Sequence, residues 1–145
     1  DGPIAPDLLA TLRWTNDVSR HGHRGLSYGY ASSNSASHGG GSAWEIHNTL
    51  IMQGPGVKSG MRSEPPSGIG DIAPTVLTAL GLTPPPSMTG RVLREAFADA
   101  SVAGPAADGP VEQWEDRSPE GILRWSRYGG RTYLGSIRRG RPRDA

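Results

Sequence analysis

The chain has 145 residues, with fifteen Lys and Arg against fourteen Asp and Glu, and a formal net charge of +1. A net charge this small gives no broad electric field toward polyanions, so the composition predicts no nucleic-acid binding and directs attention to local sites. The sequence contains no cysteine, which excludes disulfides and thiolate metal sites and leaves histidine and carboxylates as metal ligands. Hydrophobic residues make up 34%, beside 21 glycines and 13 prolines. This is typical of a loop-rich domain, or of one that lacks part of its core.

The beginning of the sequence carries no recognisable targeting signal. Asp1 occupies the first position, and residues 1–30 show neither a charged and apolar leader nor a run long enough to span a membrane. We therefore expect the chain to begin inside a longer protein and to contain no membrane segment. The sequence indicates no particular compartment.

The first half of the chain is predicted to contain little regular secondary structure. Residues 8–15 alternate apolar and mixed side chains, which predicts a strand. Residues 16–42 are rich in glycine, serine and histidine and are predicted to form a long loop, of a kind that is usually either functional or disordered. The apolar run at 48–53, which ends at Gly54-Pro55-Gly56, predicts a buried strand entering a tight turn.

The clearest helix signal lies over residues 71–81. Asp71 suits the N-cap, Pro74 suits the first turn, and Gly81 suits a left-handed C-cap. Four apolar residues share one face of this helix: Ile72, Val76, Leu77 and Leu80.

The remaining sequence predicts a second short helix and a final hairpin. The helix is expected near residues 91–98. The hairpin strands, at 122–128 and 131–137, are joined by Gly129-Gly130, which permits the positive φ angles of a two-residue turn. The predicted domains are a main part at 1–98, a linker or surface loop at 99–121, a C-terminal hairpin at 122–138 and a basic tail at 139–145.

Two motifs that suggest phosphate binding fail on inspection. The run from Gly54 to Ser59 follows a predicted strand and ends in Lys-Ser, but its lysine is too close to the first glycine and follows a valine. An exposed turn is the better interpretation. The C-terminal arginines (Arg138, Arg139, Arg141 and Arg143) follow an acidic stretch without interleaved aromatic residues, and they are interpreted as a solvated tail.

The four histidines are the remaining candidates for metal chemistry. His21 and His23 have a chelating spacing, but flanking arginines oppose a cation, so an exposed loop is favoured. His47 is expected to pack or to hydrogen-bond locally. His38 is followed by three glycines and a serine, which allow the backbone and solvent to approach its ring closely, although spacing alone does not favour a ligand role.

Four linked motifs give the sequence a family resemblance. The first is the His-Gly pair at His38-Gly39, and the second is the run Asn48-Thr49-Leu50-Ile51 together with the turn Gly54-Pro55-Gly56-Val57-Lys58-Ser59-Gly60 that follows it. The others are Asp71-Ile72-Ala73-Pro74-Thr75 and Met88-Thr89-Gly90-Arg91-Val92-Leu93. Together they resemble the last metal-ligand segment of the alkaline phosphatase superfamily. The resemblance is nearest to its type I phosphodiesterase/nucleotide pyrophosphatase and sulfatase-like branches and covers His38 to about Phe97.

The resemblance implies an α/β fold. It implies the C-terminal part of an alkaline-phosphatase-like three-layer α/β/α domain with a central, mostly parallel sheet, to which the C-terminal hairpin is added. In that family a late histidine completes one of two metal sites, and His38 is the residue that matches it. The family's nucleophile and its other metal ligands lie upstream and have no counterpart in this sequence, so no catalytic residue is predicted here.

The resemblance also implies an activity for the full-length protein. It would be a metal-dependent hydrolase of phosphate esters or phosphodiesters that uses two divalent metal ions, with zinc favoured. This segment alone is expected to be inactive and to need the N-terminal part of the same protein. Sulfate ester hydrolysis, and a non-catalytic binding domain that keeps the fold, are the alternatives. If the chain is part of a larger enzyme, the apolar face of the helix from Asp71 to Leu80 is expected to lack its partners.

Overall fold

The structure is a computed structural model that describes residues 11–27, 40–104 and 109–139. These residues form a mixed α/β arrangement of short helices and two small sheets. The chain divides into two compact units. Unit 1 consists of Asp1–Asn48, Glu115–Arg124 and Leu134–Ala145, and unit 2 consists of Thr49–Trp114 and Trp125–Tyr133.

Unit 1 contains the first sheet and a single helical turn. Strands β1 (Trp14–Val18) and β2 (Arg24–Ser27) pair antiparallel with an irregularity in register, and the turn between them carries Gly22 at a φ of 84°. Helix α1 (Ala43–Ile46) follows, and the side chain of its N-cap, Ser42, accepts a hydrogen bond from the Glu45 amide. A serine hydroxyl at this position satisfies an amide that the helix itself leaves unpaired.

Unit 2 is built around helix α2 (Ile72–Ala79), which continues from a short 3-10 helix at Ile69–Asp71. The helix ends at Leu80 in a Schellman arrangement. The Gly81 amide bonds the carbonyl of Thr78, the Leu82 amide bonds that of Leu77, and Gly81 has a φ of 72°. The predicted helix and its glycine C-cap are therefore confirmed.

The second sheet has the order β3, β4, β5. Its strands are Glu112–Arg117, Gly121–Tyr128 and Arg131–Arg139. The two strands expected from the sequence at 122–128 and 131–137 are present, with Gly129 and Gly130 in the turn at φ values of 56° and 72°. Strand β3 lies inside the segment predicted to be a linker or surface loop. Apart from Trp114 its residues are polar on both faces, so periodicity gave no strand signal there.

The buried strand predicted at 48–53 is wrong. These residues form no strand, and the Ile51 side chain is 83% exposed. The apolar run pairs with no strand among the described residues, and an extended segment that pairs with no strand leaves its backbone groups without ladder partners. The turn that follows, at Gly54-Pro55-Gly56, is attached through an antiparallel bridge between Val57 and Phe97.

Two further elements are shorter or displaced from their predicted positions. The strand expected at 8–15 begins at Trp14, and residues 8–10 lie outside the described part of the chain. The helix expected near 91–98 is only a 3-10 turn at Arg94–Ala96, because Leu93, Ala96 and Phe97 turn inward to form the apolar core of unit 2. The mixed α/β class is confirmed, while the parallel central sheet and the domain boundaries remain predictions.

Candidate functional site

The predicted metal ligand, His38, lies outside the described residues. Of the other histidines, His21 and His23 occupy the exposed turn between β1 and β2, and His47 is exposed just after α1. The Arg20 side chain donates a hydrogen bond of 2.9 Å to Nε2 of His21. Within residues 11–27, 40–104 and 109–139, no three His, Asp or Glu side chains come close enough together to hold a metal ion.

The most elaborate polar site in the described chain surrounds the buried guanidinium of Arg91. Its Nε donates to the hydroxyl of Tyr133 at 3.1 Å. Nη1 donates to Glu95 at 2.9 Å and to the Val92 carbonyl at 3.4 Å. Nη2 donates to Glu95 at 2.7 Å and to the Pro66 carbonyl at 3.0 Å. A guanidinium carries five donors, so every one of them has an acceptor here.

Asp71 is the second centre of this cluster and is also buried. One carboxylate oxygen accepts from the Arg91 amide at 2.8 Å, and the other accepts from the Gly68 amide at 2.9 Å and from the Tyr133 hydroxyl at 3.0 Å. The predicted N-cap role is wrong in detail, because the Asp71 side chain bonds no amide of α2. It instead ties the 3-10 turn before the helix to the segment at Arg91.

The ionisation of this cluster follows from its contacts. Burial raises the pKa of Glu95, but the hydrogen bonds and charge of Arg91 outweigh burial and hold that pKa below its ordinary value. Burial lowers the pKa of Arg91, and the bonds to Glu95 and Tyr133 reverse the effect and raise it. Burial and the neighbouring Asp71 raise the pKa of Tyr133 to about 12. The cluster is therefore fully ionised at Arg91 and Glu95, with a protonated phenol, at neutral pH.

These contacts make the Arg91 cluster a closed structural site. No guanidinium donor remains for a ligand, and Tyr128 covers the guanidinium at 4.9 Å from its ring centroid. A buried charge of this kind is tolerated only where all its hydrogen bonds are made. We therefore assign the cluster to holding unit 2 together and not to chemistry on a bound molecule.

The cluster joins two of the four sequence motifs. Besides the bond from the Arg91 amide to Asp71, the backbones of Gly70 and Gly90 are in close contact, and a Cβ on Gly90 would overlap the carbonyl oxygen of Gly70. Only glycine allows two chain segments to approach this closely. The glycine before Arg91 is thus explained by packing.

Helix α2 is buried on its polar side and exposed on its apolar side. Thr75 is 1% exposed, and its hydroxyl donates to the Asp71 carbonyl at 2.6 Å and accepts from the Leu93 amide at 2.9 Å. In contrast, Val76 is 48% and Leu80 is 68% exposed. Ile69 and Ile72 extend this exposed surface, which we call the α2 apolar face. An apolar helix face normally packs on a core.

Comparison with known proteins identifies no relative. No family model matches the chain, and neither a curated protein nor a solved structure matches it. Among the helices that the structure describes, none has the length and apolar character needed to cross a membrane.

Sequence reasoning did not find the Arg91 cluster. Arg91 appeared only as part of a motif, while Tyr133 and Glu95 carried no assignment. The one local signal was the spacing of Arg91 and Glu95, which are four residues apart and lie beside the buried Leu93. The contact with Tyr133 spans 42 residues, and no local pattern indicates it.

Proposed function

We propose that this chain is the C-terminal segment of a metal-dependent hydrolase of phosphate esters or phosphodiesters, in which His38 supplies one metal ligand. The segment would belong to an alkaline-phosphatase-like three-layer α/β/α domain with a mostly parallel central sheet. The proposal rests on the four linked motifs between His38 and Phe97. The structural observation that supports it is the exposed α2 apolar face.

The α2 apolar face supports the proposal because a complete small domain would have no reason to leave it open. Val76 and Leu80 lie on a helix whose polar residues are already used to anchor it in unit 2. Between Pro65 and Ser87 the only charged residue is Asp71, which is buried. An uncharged surface of this length is typical of a helix covered by further layers of a larger α/β domain.

The contact between the Asp71 and Arg91 motifs gives a second line of support. In a chance resemblance, separate sequence motifs have no reason to meet in space. Here the Arg91 amide binds the Asp71 carboxylate directly, and Gly90 is required for the close approach. Two of the motifs thus act as one structural unit.

The metal chemistry enters only through His38. The described residues hold no metal cluster of their own, so the two metal ions of the proposed enzyme require ligands from elsewhere in the full-length protein. When bound, two such ions would activate the nucleophile and stabilise the leaving oxygen. The contribution of this chain is a single imidazole nitrogen, a strong ligand for zinc and related ions.

The test compares His38→Ala with His47→Ala in the full-length protein. His47 is a suitable control because it lies nine positions away on the same segment and is exposed. We expect His38→Ala to lose one metal equivalent and most hydrolysis of a chromogenic phosphodiester, while its circular dichroism stays unchanged. We expect His47→Ala to retain both the metal and the activity.

The outcome separates the proposal from its alternatives. Unchanged metal content in His38→Ala would remove His38 from any metal site. Turnover of a chromogenic sulfate ester in preference to phosphate esters would assign the sulfatase alternative. Full-length protein without metal-dependent turnover of either ester would favour a non-catalytic binding domain. The 145-residue chain alone is expected to show no metal-dependent turnover.

A further inference from the structure

Unit 1 contains a cavity of about 560 Å³. Its walls come from the segment at residues 11–13, from the turn between β3 and β4 with the adjoining strand ends, and from the last residues of β5. A volume of this size lies within the range of pockets that hold small molecules in proteins. The cavity shares no residue with the Arg91 cluster.

The lining of the cavity is rich in arginine. The lining includes four arginines, Arg13, Arg117, Arg138 and Arg139, and two carboxylates, Asp116 and Glu120. The Arg117 guanidinium is engaged by Glu115. In the part of the chain that the structure describes, neither Arg138 nor Arg139 has a carboxylate within ion-pair distance. Guanidinium groups bind carboxylates and phosphates through paired hydrogen bonds, so these two are suited to an anion.

The rest of the wall is apolar. Leu12, Ile122, Leu123 and Ile137 line the cavity together with the arginines. A site that combines an apolar wall with a few charged groups orients a ligand that has both characters. Such a lining favours an anion with a hydrocarbon body over a bare inorganic ion.

The wall beside the two arginines is held in place. The Ile137 amide donates to the Gly41 carbonyl at 2.7 Å, and the Ile137 carbonyl accepts from Nε1 of Trp14 at 2.5 Å. Ser136, the preceding residue, is buried. Because both peptide groups of Ile137 are anchored, little backbone ordering is needed when a ligand meets Arg138 and Arg139.

We propose that the unit 1 cavity is a binding site for an organic anion with an apolar body. Arg138 and Arg139 supply the positive charge of the site, and Ile122, Leu123 and Ile137 supply its apolar wall. The site is independent of the proposed hydrolase function, because it uses neither His38 nor a metal ion. This assignment changes the interpretation of Arg138 and Arg139, which the sequence alone indicated to be part of a solvated tail.

The test is a calorimetric titration of the 145-residue chain with phenyl phosphate. Two comparison probes are titrated in the same way: phenol, which has only the apolar body, and inorganic phosphate, which has only the anionic group. We expect phenyl phosphate to bind more tightly than either, and the double variant Arg138→Ala/Arg139→Ala to weaken its binding at least about tenfold. Arg131→Ala is the matched control, since it removes an exposed arginine from the other end of β5 and outside the cavity.

Two further measurements complete the test. Amide signals of Ile122, Leu123 and Ile137 are expected to shift on titration, and His38→Ala is expected to leave binding unchanged. Equal binding of phenyl phosphate and inorganic phosphate would overturn the assignment of the apolar wall. Equal loss of binding in Arg131→Ala and in the double variant would show nonspecific charge attraction and overturn the site. Binding abolished by His38→Ala would transfer it to the proposed metal site, which separates the two proposals.

Discussion

The two arginine clusters of this protein use the same side chain in opposite ways. Arg91 is buried and gives all five donors to acceptors of unit 2. Arg138 and Arg139 are exposed at the end of β5 and border a cavity. The first cluster is saturated by the protein, so its contribution is to stability. The second leaves its charge available, so its contribution is to binding.

This difference shows how a structural arginine is told from one that binds a ligand. The number of guanidinium N–H donors already bonded within the protein distinguishes them better than burial or charge alone. A buried guanidinium is stable only with its full set of acceptors, whereas an exposed one is hydrated and can exchange water for a ligand. The comparison leads to four predictions of decreasing size.

The largest effect is expected from Arg91→Ala. It removes the guanidinium that binds the Glu95 carboxylate, the Pro66 carbonyl and the Tyr133 hydroxyl, and we expect a loss of about 3–5 kcal/mol in the free energy of unfolding. Arg139→Ala is expected to change it by no more than about 0.5 kcal/mol. Urea unfolding measures both. Similar losses in the two variants would contradict the distinction between the clusters.

A smaller loss, about 3 kcal/mol, is expected from Gly90→Ala, because the added Cβ overlaps the backbone of Gly70 and forces the Asp71 and Arg91 segments apart. Gly70→Ala is the matched control. A Cβ there meets only the Gly90 Cα, at 4.0 Å, and the φ of Gly70 is not in the left-handed region. Thermal or urea unfolding should show that Gly70→Ala leaves the free energy of unfolding almost unchanged. A Gly90→Ala variant as stable as the original chain would refute the close approach.

The third prediction concerns neighbouring residues on the two sides of α2. Thr75→Val keeps the shape but leaves the buried Leu93 amide unpaired, and we expect a loss of about 2 kcal/mol. Val76→Thr makes the reverse exchange on the α2 apolar face, with an expected change within about 0.5 kcal/mol in this chain. In the proposed full-length hydrolase, where further layers would cover the face, Val76→Thr is expected to become destabilising. Urea unfolding of both proteins checks the pair.

The smallest effect is a dependence of stability on alkaline pH. The pKa of Tyr133 is raised to about 12 in the folded chain, above the ordinary value of about 10. Its contribution is therefore fully present below pH about 10 and is lost as the pH rises toward about 12. Ultraviolet titration should show a tyrosine ionisation near pH 12, and Tyr133→Phe should remove that step. Four tyrosines that all ionise near pH 10 would exclude the buried contact with Asp71.

Sequence reasoning succeeded where the signal was local. The limits of α2 and the hairpin turn follow from Pro74, Gly81 and the Gly129-Gly130 pair, whose backbone preferences act within a few residues. It failed at 48–53, where an apolar run satisfied the pattern of a strand but has no described strand to pair with. It also missed β3, a polar strand that exists because β4 supplies its backbone partner.

For the candidate sites the sequence indicated residue types but not their use. His38 was found from the residues around it and from a family resemblance, and its role as a metal ligand stays a prediction. Arg91 and Arg139 are indistinguishable by composition, and both stand near other charges in the sequence. Their separation into a closed cluster and an open cavity depends on Tyr133, Pro66 and Trp14, which are distant in the chain.

By itself, the sequence determined the exclusion of thiolate chemistry, the ends of helix α2 and the turn of the final hairpin, because each depends on residues that are near one another in the chain. Only the tertiary structure decided that Asp71 binds Arg91 and Tyr133 instead of the first amides of its own helix. It also decided that α2 buries its threonine side, where the Thr75 hydroxyl donates to the Asp71 carbonyl one turn earlier and accepts from the distant Leu93 amide, and these bonds outweigh local amphipathicity.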